Sequence, residues 1–502
     1  MNLAMLLEMA AEGAPDRVVV GSKRGGLTAA ELLGAARRAA SVFLSGDIQH
    51  VALVDLNSEA VPVALFGAAM AGLPFVPVNY RLTDDQLPGI VRRLAPGLVI
   101  AGPGIVDRVP PIEGIEMMTR DQFLDAVENG DADLDPQYVD PEEIAILLFT
   151  SGTTGEPKAA VLRHRHLASY IIGTVEYMGA GEDEAQLVSV PPYHIAGVSA
   201  VLSCLYGGRR LVYLPGFDAE SWLETVENED ITQAMVVPTM LDRVLKLIES
   251  SGATLSSLRH LSYGGGRMPL ELIERAMKLL PHVDYVNAYG LTETSSTISV
   301  LTPEDHREAI SSNDPAIRQR LGSVGRPMPT IELEIRGPDG RVLPSGECGE
   351  IYVRGEQVAG EYLGRNVLTD DGWFPTNDAG HLDLHGFLYL EGRLDDVIVR
   401  GAENLSPGEI EDALIAHPAV AEVAVVGVPD PEWGEAVAAA VVLGEGATVT
   451  QEELQVWVRE RLRSTKTPQV IQFRTEMPHN ETGKLLRRVL REELSRPPHV
   501  QT

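Results

Sequence analysis

The chain has 502 residues, of which 44% are hydrophobic and 23% are charged, and its formal net charge is −31. One hydrophobic core stops growing at about 250–300 residues, so we predict at least two domains. The acidic surface would repel nucleic acid and anionic lipid, so we expect no nucleic-acid partner. Only two cysteines, Cys204 and Cys348, are present and far apart, which gives no support for a disulfide framework or a zinc site and favours a cytoplasmic protein.

The N-terminal segment 1–17 has no basic start and is interrupted by Glu8 and Glu12, so it predicts an amphipathic helix rather than a signal peptide. The apolar stretch 63–78 is too short to span a bilayer. We therefore expect no transmembrane segment, with peripheral membrane contact left open. We expect a monomer or a homodimer.

From Val51 onward, short apolar segments alternate with helical ones. The predicted strands are 51–56, 74–79, 97–102, 143–149, 186–190, 209–214, 231–237, 258–264 and 283–290, and the first predicted helices are 58–72 and 83–94. This alternation is typical of parallel sheets covered by helices. Ligands of such sheets bind at the carboxyl ends of strands, which is where the Gly, Ser and Thr clusters of this chain fall.

Turn-rich alternation between about Gly322 and Leu390 predicts a small antiparallel β-barrel. A compact α+β pattern follows, with strands at 397–400, 420–428, 435–443 and 470–474, helices at 406–417 and 450–462, and a last helix after Gly483. The predicted fold class is α/β: a large N-terminal domain, residues 1–394, of helix-flanked, mostly parallel sheets plus the small β-barrel, then a small mobile α+β C-terminal domain, residues 395–502.

The helix at 406–417 has a clear start signal. Ser406 precedes Pro407 at the first helical position, and Glu409 follows three residues after the serine. This spacing predicts a capping box, in which the Ser406 and Glu409 side chains bond to each other's backbone N–H groups.

The stretch Ala145–Val161 (AILLFTSGTTGEPKAAV) joins an apolar strand to a loop of hydroxyls and glycines that ends in a lysine. Hydroxyls and backbone N–H groups can surround phosphate oxygens, and glycine permits close approach. The order differs from that of a Walker loop, which needs Gly-Lys-Ser/Thr in succession. The residues that we expect at the phosphates are Thr150, Ser151, Gly152, Thr153, Thr154, Gly155 and Lys158.

This loop resembles the signature of the adenylate-forming superfamily, which includes acyl-CoA synthetases, amino-acid adenylation domains and beetle luciferases. The chain looks most like bacterial fatty-acid–CoA ligases. Further segments resemble family motifs in the family's order: PPYHIAG (191–197), SYGGGRMP (262–269), NAYGLTET (287–294), WFPTNDAGHLDLHGFLYLEGRLDD (373–396), RGAENLSPGEIE (400–411) and NETGKLLRR (480–488). The resemblance implies an AMP-forming acid–thiol ligase with ATP and coenzyme A as co-substrates and Mg²⁺ as cofactor.

The resemblance also implies roles for particular residues. Those implied at ATP or AMP, beyond the loop, are Gly264, Gly265, Asn287, Ala288, Tyr289, Gly290, Thr292, Asp378, Arg393 and Lys484. The implied catalytic residues are Lys484, His194 and Thr292, and the implied magnesium ligands are Thr150 and Glu293. The implied acyl pocket comprises His194, Gly197, Val198, Gly265 and Gly266. The implied coenzyme A site comprises Arg400, Gly401 and Ala402, and the implied hinge is Asp395.

The chain departs from the family pattern at Ala159, Asn377 and Arg400, where relatives usually have glycine. Asparagine tolerates a positive φ, so we expect the turn at Asn377 to be kept. We expect Ala159 to reduce the mobility of the signature loop. Because Arg400 stands where relatives usually have glycine, the sequence does not specify how the thiol of coenzyme A reaches the site.

The substrate is the least determined part of the prediction. His194 supplies no carboxylate for an α-amine, which argues against an amino acid, and the uncharged segment 195–208 suits an apolar acyl group. We predict a medium- or long-chain fatty acid; an aryl or alicyclic acid, including a steroid fragment, and a carrier protein loaded in trans as the acyl acceptor stay open. The catalytic set argues against a nucleotide-binding paralogue without activity.

Overall fold

The computed structural model describes residues 1–131, 138–150, 157–400, 403–479 and 485–495. The chain divides into two compact units. The first comprises Met1–Glu332 and Arg354–Phe374, and the second comprises Leu333–Val353 and Pro375–Thr502. Residues on both sides of Asp395 lie in the second unit, so the domain boundary at that residue stays a prediction.

The described helices are α1 (Ala4–Gly13), α2 (Ala29–Leu44), α3 (Ala60–Ala71), α4 (Leu87–Arg92), α5 (Arg120–Glu128), α6 (His164–Thr174), α7 (Ile195–Gly207), α8 (Ala219–Asn228), α9 (Pro238–Ser251), α10 (Leu270–Leu279), α11 (Pro303–Ser311), α12 (Pro315–Arg318), α13 (Pro407–Ile415), α14 (Gln451–Arg459) and α15 (Arg487–Leu494). Among the described residues, no helix is both long and apolar enough to cross a bilayer.

The described strands are β1 (Val18–Val20), β2 (Leu27–Thr28), β3 (His50–Val54), β4 (Phe75–Pro77), β5 (Gly97–Ala101), β6 (Ile115–Thr119), β7 (Ile144–Thr150), β8 (Lys158–Arg163), β9 (Ala185–Val188), β10 (Arg210–Tyr213), β11 (Gln233–Val236), β12 (His260–Gly264), β13 (Asp284–Leu291), β14 (Ser296–Leu301), β15 (Arg326–Pro327), β16 (Glu332–Arg336), β17 (Gly349–Arg354), β18 (Glu361–Tyr362), β19 (Arg365–Asn366), β20 (Phe374–Leu382), β21 (Leu388–Arg393), β22 (Ile398–Arg400), β23 (Glu403–Leu405), β24 (Val420–Asp430), β25 (Gly434–Leu443) and β26 (Val470–Arg474).

The first unit is built on two sheets. One has nine strands in the order β15-β14-β13-β12-β11-β9-β10-β1-β2, and the other has eight in the order β19-β18-β8-β7-β4-β3-β5-β6. The strands from β13 to β1 in the first sheet, and from β7 to β6 in the second, pair in parallel. These sheets confirm the predicted α/β class.

The core of the first unit joins both sheets through helices. Phe43 on α2 and Phe66 on α3 are buried in one cluster with Leu53 of the eight-stranded sheet and Leu211 of the nine-stranded sheet. Helix α3 is apolar on every side because it is buried all round. The outer face of the nine-stranded sheet is covered by α8, α9 and α10.

The second unit has two smaller sheets. The C-terminal one follows the order β23-β22-β25-β24, with β26 also paired to β25. Successive residues of β25 face opposite sides. Val437, Ala439 and Val441 pack with Leu454 of α14, whereas Ala436, Ala438 and Ala440 pack with Leu490 of α15.

Two predictions for the second unit are wrong. Of the strands in the segment expected to form a barrel, β16, β17, β20 and β21 make an open sheet in the order β16-β17-β20-β21. The strands β15, β18 and β19 pair in the two large sheets instead, and no closed barrel forms among the described residues. The turn signals specify antiparallel strands, but closure would also require the edge strands β16 and β21 to pair. The capping box is absent as well, because the Ser406 hydroxyl donates to the Glu391 carbonyl and the Glu409 carboxylate pairs with Lys466.

Candidate active site

The signature loop connects the two strands of an antiparallel hairpin. Thr150 at the end of β7 lies opposite Lys158 at the start of β8. The Thr150 hydroxyl donates to the Lys158 carbonyl at 3.4 Å. The other predicted phosphate-binding residues, Ser151 to Gly155, lie outside the described residues. The structure thus places the two ends of the loop side by side.

Tyr362 lies between the predicted phosphate lysine and the predicted metal ligand. The Lys158 Nζ atom is 5.7 Å from the centre of the Tyr362 ring. The Tyr362 hydroxyl donates to Glu293 Oε1 at 2.6 Å. The hairpin and the segment carrying Glu293, far apart in sequence, therefore meet at one tyrosine that the sequence motifs did not mark.

Glu293 is held at a short turn that follows β13. The turn spans Thr292–Thr294, and Glu293 is only 8% exposed. Its backbone carbonyl accepts hydrogen bonds from the N–H groups of Ala359 and Gly360 at 2.9 and 3.2 Å. The predicted Thr292 shares this turn, so its position is tied to that of Glu293.

The two motifs predicted to bind the nucleotide are neighbours in the nine-stranded sheet. Gly264 at the end of β12 lies directly opposite Ala288 in β13. A Cβ atom on Gly264 would lie 2.3 Å from the Ala288 carbonyl oxygen, so only glycine allows this approach. Gly265 follows with φ +71°, and the Asn287 amide is fixed by donating to the Ser323 carbonyl at 3.1 Å.

The later residues of β13 continue along the same strand. Tyr289, half-buried, lies opposite Ser299 of the antiparallel strand β14. Gly290 lies opposite Thr297, and a Cβ atom there would lie 1.7 Å from the Ser296 carbonyl oxygen. Gly266, beyond the end of β12, lies near Pro238. The strand thus leads directly to the turn of Thr292 and Glu293.

A buried pair behind these strands was not found from the sequence. The Tyr263 hydroxyl lies 2.8 Å from His306 Nε2, and His306 Nδ1 lies 2.7 Å from the Thr302 carbonyl. Burial lowers the pKa of His306 to about 4, so the ring is neutral at pH 7. A neutral ring that donates from Nδ1 to the Thr302 carbonyl accepts a hydrogen bond from the Tyr263 hydroxyl at Nε2, and this bond fixes the end of β12 against α11.

His194 precedes α7, and its ring lies 5.1 Å from that of Tyr193. The Asn57 amide positions this segment by donating to the Val190 carbonyl at 2.9 Å. Gly197 is buried in the first turn of the helix, and Val198, 2% exposed, packs into the core of the first unit. The acyl pocket stays a prediction.

The second unit holds the predicted ribose-binding pair. Asp378 and Arg393 lie opposite each other on β20 and β21, and Arg393 Nη1 donates to Asp378 Oδ1 at 2.7 Å. Asn377 has φ +59°, which confirms the expected positive φ, and the residue lies within β20 rather than in a turn between elements. Its amide donates to Asp395 Oδ2 at 3.2 Å, so the residue that replaces glycine contacts the predicted hinge.

Of the remaining predicted residues, the structure describes Arg400, at the end of β22 in the C-terminal sheet. Arg400 donates to the Thr465 carbonyl at 2.7 Å, and its guanidinium lies 5.7 Å from the centre of the Trp433 ring. Gly401, Ala402 and Lys484 lie outside the described residues. Arg487, close to Lys484 in sequence, forms a two-point ion pair with Glu411 of α13.

The candidate metal ligands are few. Within the described ranges, no group of three or more His, Cys, Asp or Glu side chains could hold a metal ion. Glu293 offers one nearly buried carboxylate, and Thr150 offers a hydroxyl. Hard oxygen donors in this small number fit Mg²⁺, which commonly takes one or two protein carboxylates together with phosphates and waters.

The fold is that of adenylate-forming enzymes, and two family models match most of the chain. A model of the AMP-binding enzyme family matches residues 7–363, and a model of the AMP-binding enzyme C-terminal domain matches residues 409–484. The chain therefore belongs to the AMP-binding enzyme family.

Three similar proteins show the range of the relatives. Feruloyl-CoA synthase of Amycolatopsis is 32% identical over 92% of each chain. The long-chain-fatty-acid–CoA ligase FadD13 of Mycobacterium tuberculosis is 30% identical over 93% of each. The solved structure of o-succinylbenzoate CoA synthetase from Bacillus subtilis, in complex with its acyl-adenylate, has a TM-score of 0.84 and 28% identity and covers 98% of each chain. The chain is an AMP-forming acid–CoA ligase that takes ATP and a small-molecule acid.

Proposed function

We propose that the chain activates an apolar medium- or long-chain fatty acid. The observation that carries this proposal is α7, which begins directly after His194 and has no charged residue along Ile195–Gly207. An uncharged helix beside the reacting carboxylate suits an apolar acyl chain. The similarity to FadD13, a long-chain ligase by name, supports the same substrate class.

In the first step, a carboxylate oxygen attacks the α-phosphorus of ATP and pyrophosphate leaves, which gives acyl-AMP. Such phosphoryl transfers depend on positioning and on fixed charge. Lys158 and the signature loop hold the β- and γ-phosphates, Asp378 accepts hydrogen bonds from the ribose hydroxyls, and Lys484 bridges the carboxylate and the α-phosphate. Glu293 and Thr150 would hold Mg²⁺, which would offset negative charge on the phosphates.

In the second step, the thiol of coenzyme A loses its proton, its sulfur attacks the acyl carbonyl carbon, and AMP leaves as the carbon–oxygen bond breaks. We propose that the C-terminal domain, residues 395–502, rotates about Asp395 between the steps. This rotation withdraws Lys484 and brings the segment Arg400–Ala402 to the acyl-adenylate.

A second candidate substrate is an aryl acid. The similarity to feruloyl-CoA synthase, at 32% identity, favours this alternative. The uncharged helix α7 is compatible with a rigid ring and with a flexible chain. Measured turnover of the two kinds of acid therefore distinguishes the candidates better than the residues of α7 do.

The test is AMP release from ATP with a panel of carboxylic acids, each with and without coenzyme A. We expect the highest kcat/KM with an acid of about 8 to 18 carbons, since each buried methylene contributes about 0.8 kcal/mol. Preference for cinnamic-type acids would replace the fatty-acid proposal with the aryl one. Turnover that requires an acyl carrier protein in place of coenzyme A would indicate the carrier-loading alternative, and no turnover would indicate a paralogue without activity.

A further inference from the structure

We propose that Tyr362 is a positioning residue that sets the Glu293 carboxylate for the metal ion and keeps Lys158 apart from it. The inference rests on the proposed role of Glu293 as the magnesium ligand. It concerns a side chain that no sequence motif marked, and it follows from three contacts in the first unit.

The first contact is the hydrogen bond of the phenol. The Tyr362 hydroxyl donates to Glu293 Oε1 at 2.6 Å, a short distance typical of a charge-assisted bond. The bond holds Oε1 in place and so fixes the rotation of the carboxylate, which sets the direction in which its remaining lone pairs point. Groups that orient metal ligands in this way commonly change metal affinity by about 10- to 100-fold when they are removed.

The second contact is that of the ring with the lysine. Lys158 Nζ lies 5.7 Å from the centre of the Tyr362 ring, within the range of a cation–π interaction. A direct ion pair between Lys158 and Glu293 would neutralise both groups and remove them from ligand binding. The Lys158 ammonium lies over the Tyr362 ring, and the Glu293 carboxylate accepts from the Tyr362 hydroxyl. Tyr362 therefore contacts both charged groups and keeps them from pairing with each other.

The third contact fixes the tyrosine itself. The preceding residue, Glu361, accepts two hydrogen bonds from Arg163 at 2.9 and 2.7 Å, and Tyr362 pairs with Ala160 of β8. The Leu363 N–H donates to the Ala159 carbonyl at 2.9 Å. The two-residue strand β18 is thus attached to the strand that carries Lys158, which makes the phenol a fixed support rather than a mobile one.

The test compares Tyr362→Phe, which removes only the hydroxyl, with Tyr170→Phe as a matched control. Tyr170 is also in the first unit, and its hydroxyl donates to Thr297 at 3.4 Å. Binding of Mn²⁺ to the enzyme with a non-hydrolysable ATP analogue is measured by electron paramagnetic resonance. We expect Tyr362→Phe to raise the Kd for Mn²⁺ about tenfold and Tyr170→Phe to change it less than twofold.

Two further variants separate positioning from a structural effect. If Tyr362 acts through Glu293, Tyr362→Phe will change the Mn²⁺ Kd little in a Glu293→Gln background. Tyr362→Leu, which also removes the ring, should raise the KM for ATP at saturating Mg²⁺, whereas Tyr362→Phe should not. An unchanged Kd in folded Tyr362→Phe, or an equal loss in both backgrounds, would overturn the inference.

Failure of the proposed function gives a different result. If the wild-type chain binds the ATP analogue and Mn²⁺ but shows no acid-dependent pyrophosphate exchange, the proposed reaction is wrong. The Mn²⁺ titration still tests the proposed role of Tyr362 in that case. If exchange occurs and the titration of Tyr362→Phe matches that of the wild type, only the role of Tyr362 is wrong.

Discussion

Asn377 has a backbone conformation that favours glycine and makes a side-chain contact as well. Its φ of +59° lies in the left-handed region, which asparagine enters more readily than most other non-glycine residues. Its amide donates to Asp395 at 3.2 Å, and glycine has no group that could make this bond. The chain therefore has the left-handed conformation at this position and adds a link to the predicted hinge.

The conformation of Asn377 predicts an order of stability among its variants. Asn377→Gly removes the hydrogen bond of the side-chain amide to Asp395 without adding backbone strain. Asn377→Ala removes the same hydrogen bond and also adds backbone strain of about 1–2 kcal/mol. We expect the apparent Tm from calorimetry to be lower for Asn377→Ala than for Asn377→Gly. Gly386→Ala, at φ +79° with open space around the new Cβ, reports the strain alone. Equal Tm values for the two Asn377 variants would contradict the left-handed assignment.

At the scale of elements, the close approach of β12 to β13 brings the two motifs predicted to bind the nucleotide side by side. A Cβ atom on Gly264 would lie 2.3 Å from the Ala288 carbonyl oxygen, and backbone atoms cannot move aside as a flexible side chain can. On Gly266, two residues on, the same atom would lie 3.7 Å from Pro238, an ordinary contact. The two glycines therefore differ in what they tolerate.

This difference predicts the behaviour of two alanine variants. Gly264→Ala forces β12 and β13 apart, so we expect it to cost about 1–3 kcal/mol of stability and to raise the KM for ATP. We expect Gly266→Ala to fold with the Tm of the wild type. Thermal unfolding and ATP kinetics test both expectations. A Gly264→Ala variant as stable as Gly266→Ala would show that the two strands do not approach so closely.

The elements also show which features sequence can predict. Alternating apolar segments predicted strands such as β3, β5 and β12, because burial on both faces of a parallel sheet leaves a local pattern. Barrel closure depends on whether distant edges pair, and no local pattern specifies that. The capping box was wrong because Ser406 and Glu409 have partners from distant segments, Glu391 and Lys466, that the local spacing cannot reveal.

In the candidate site too, the sequence predicts residues that lie in local motifs and does not reveal contacts between distant segments. Glu293, Asp378 and Arg393 were predicted because each lies in a motif. Tyr362 was missed because its partners, Glu293 and Lys158, are distant in sequence and meet it only through the pairing of β18 with β8. His306 was missed for a similar reason, since its partner Tyr263 lies on another element.

At the scale of the whole molecule, the proposed chemistry needs residues from both compact units. Lys158 and Glu293 belong to the first unit, whereas Asp378, Arg393 and Lys484 belong to the second. In the proposed reaction, Lys484 serves the first step and the segment Arg400–Ala402 serves the second. The central claim is therefore that Lys484 acts in adenylation and not in thioester formation.

The most direct test measures the two half-reactions of Lys484→Ala separately. The first is acid-dependent exchange of pyrophosphate into ATP, and the second is formation of acyl-CoA from supplied acyl-AMP and coenzyme A. We predict that exchange falls at least about 100-fold, within the range for loss of a group that stabilises transition-state charge, while thioester formation stays within a few fold of wild type. Parallel loss of both half-reactions, or exchange that persists, would contradict the account.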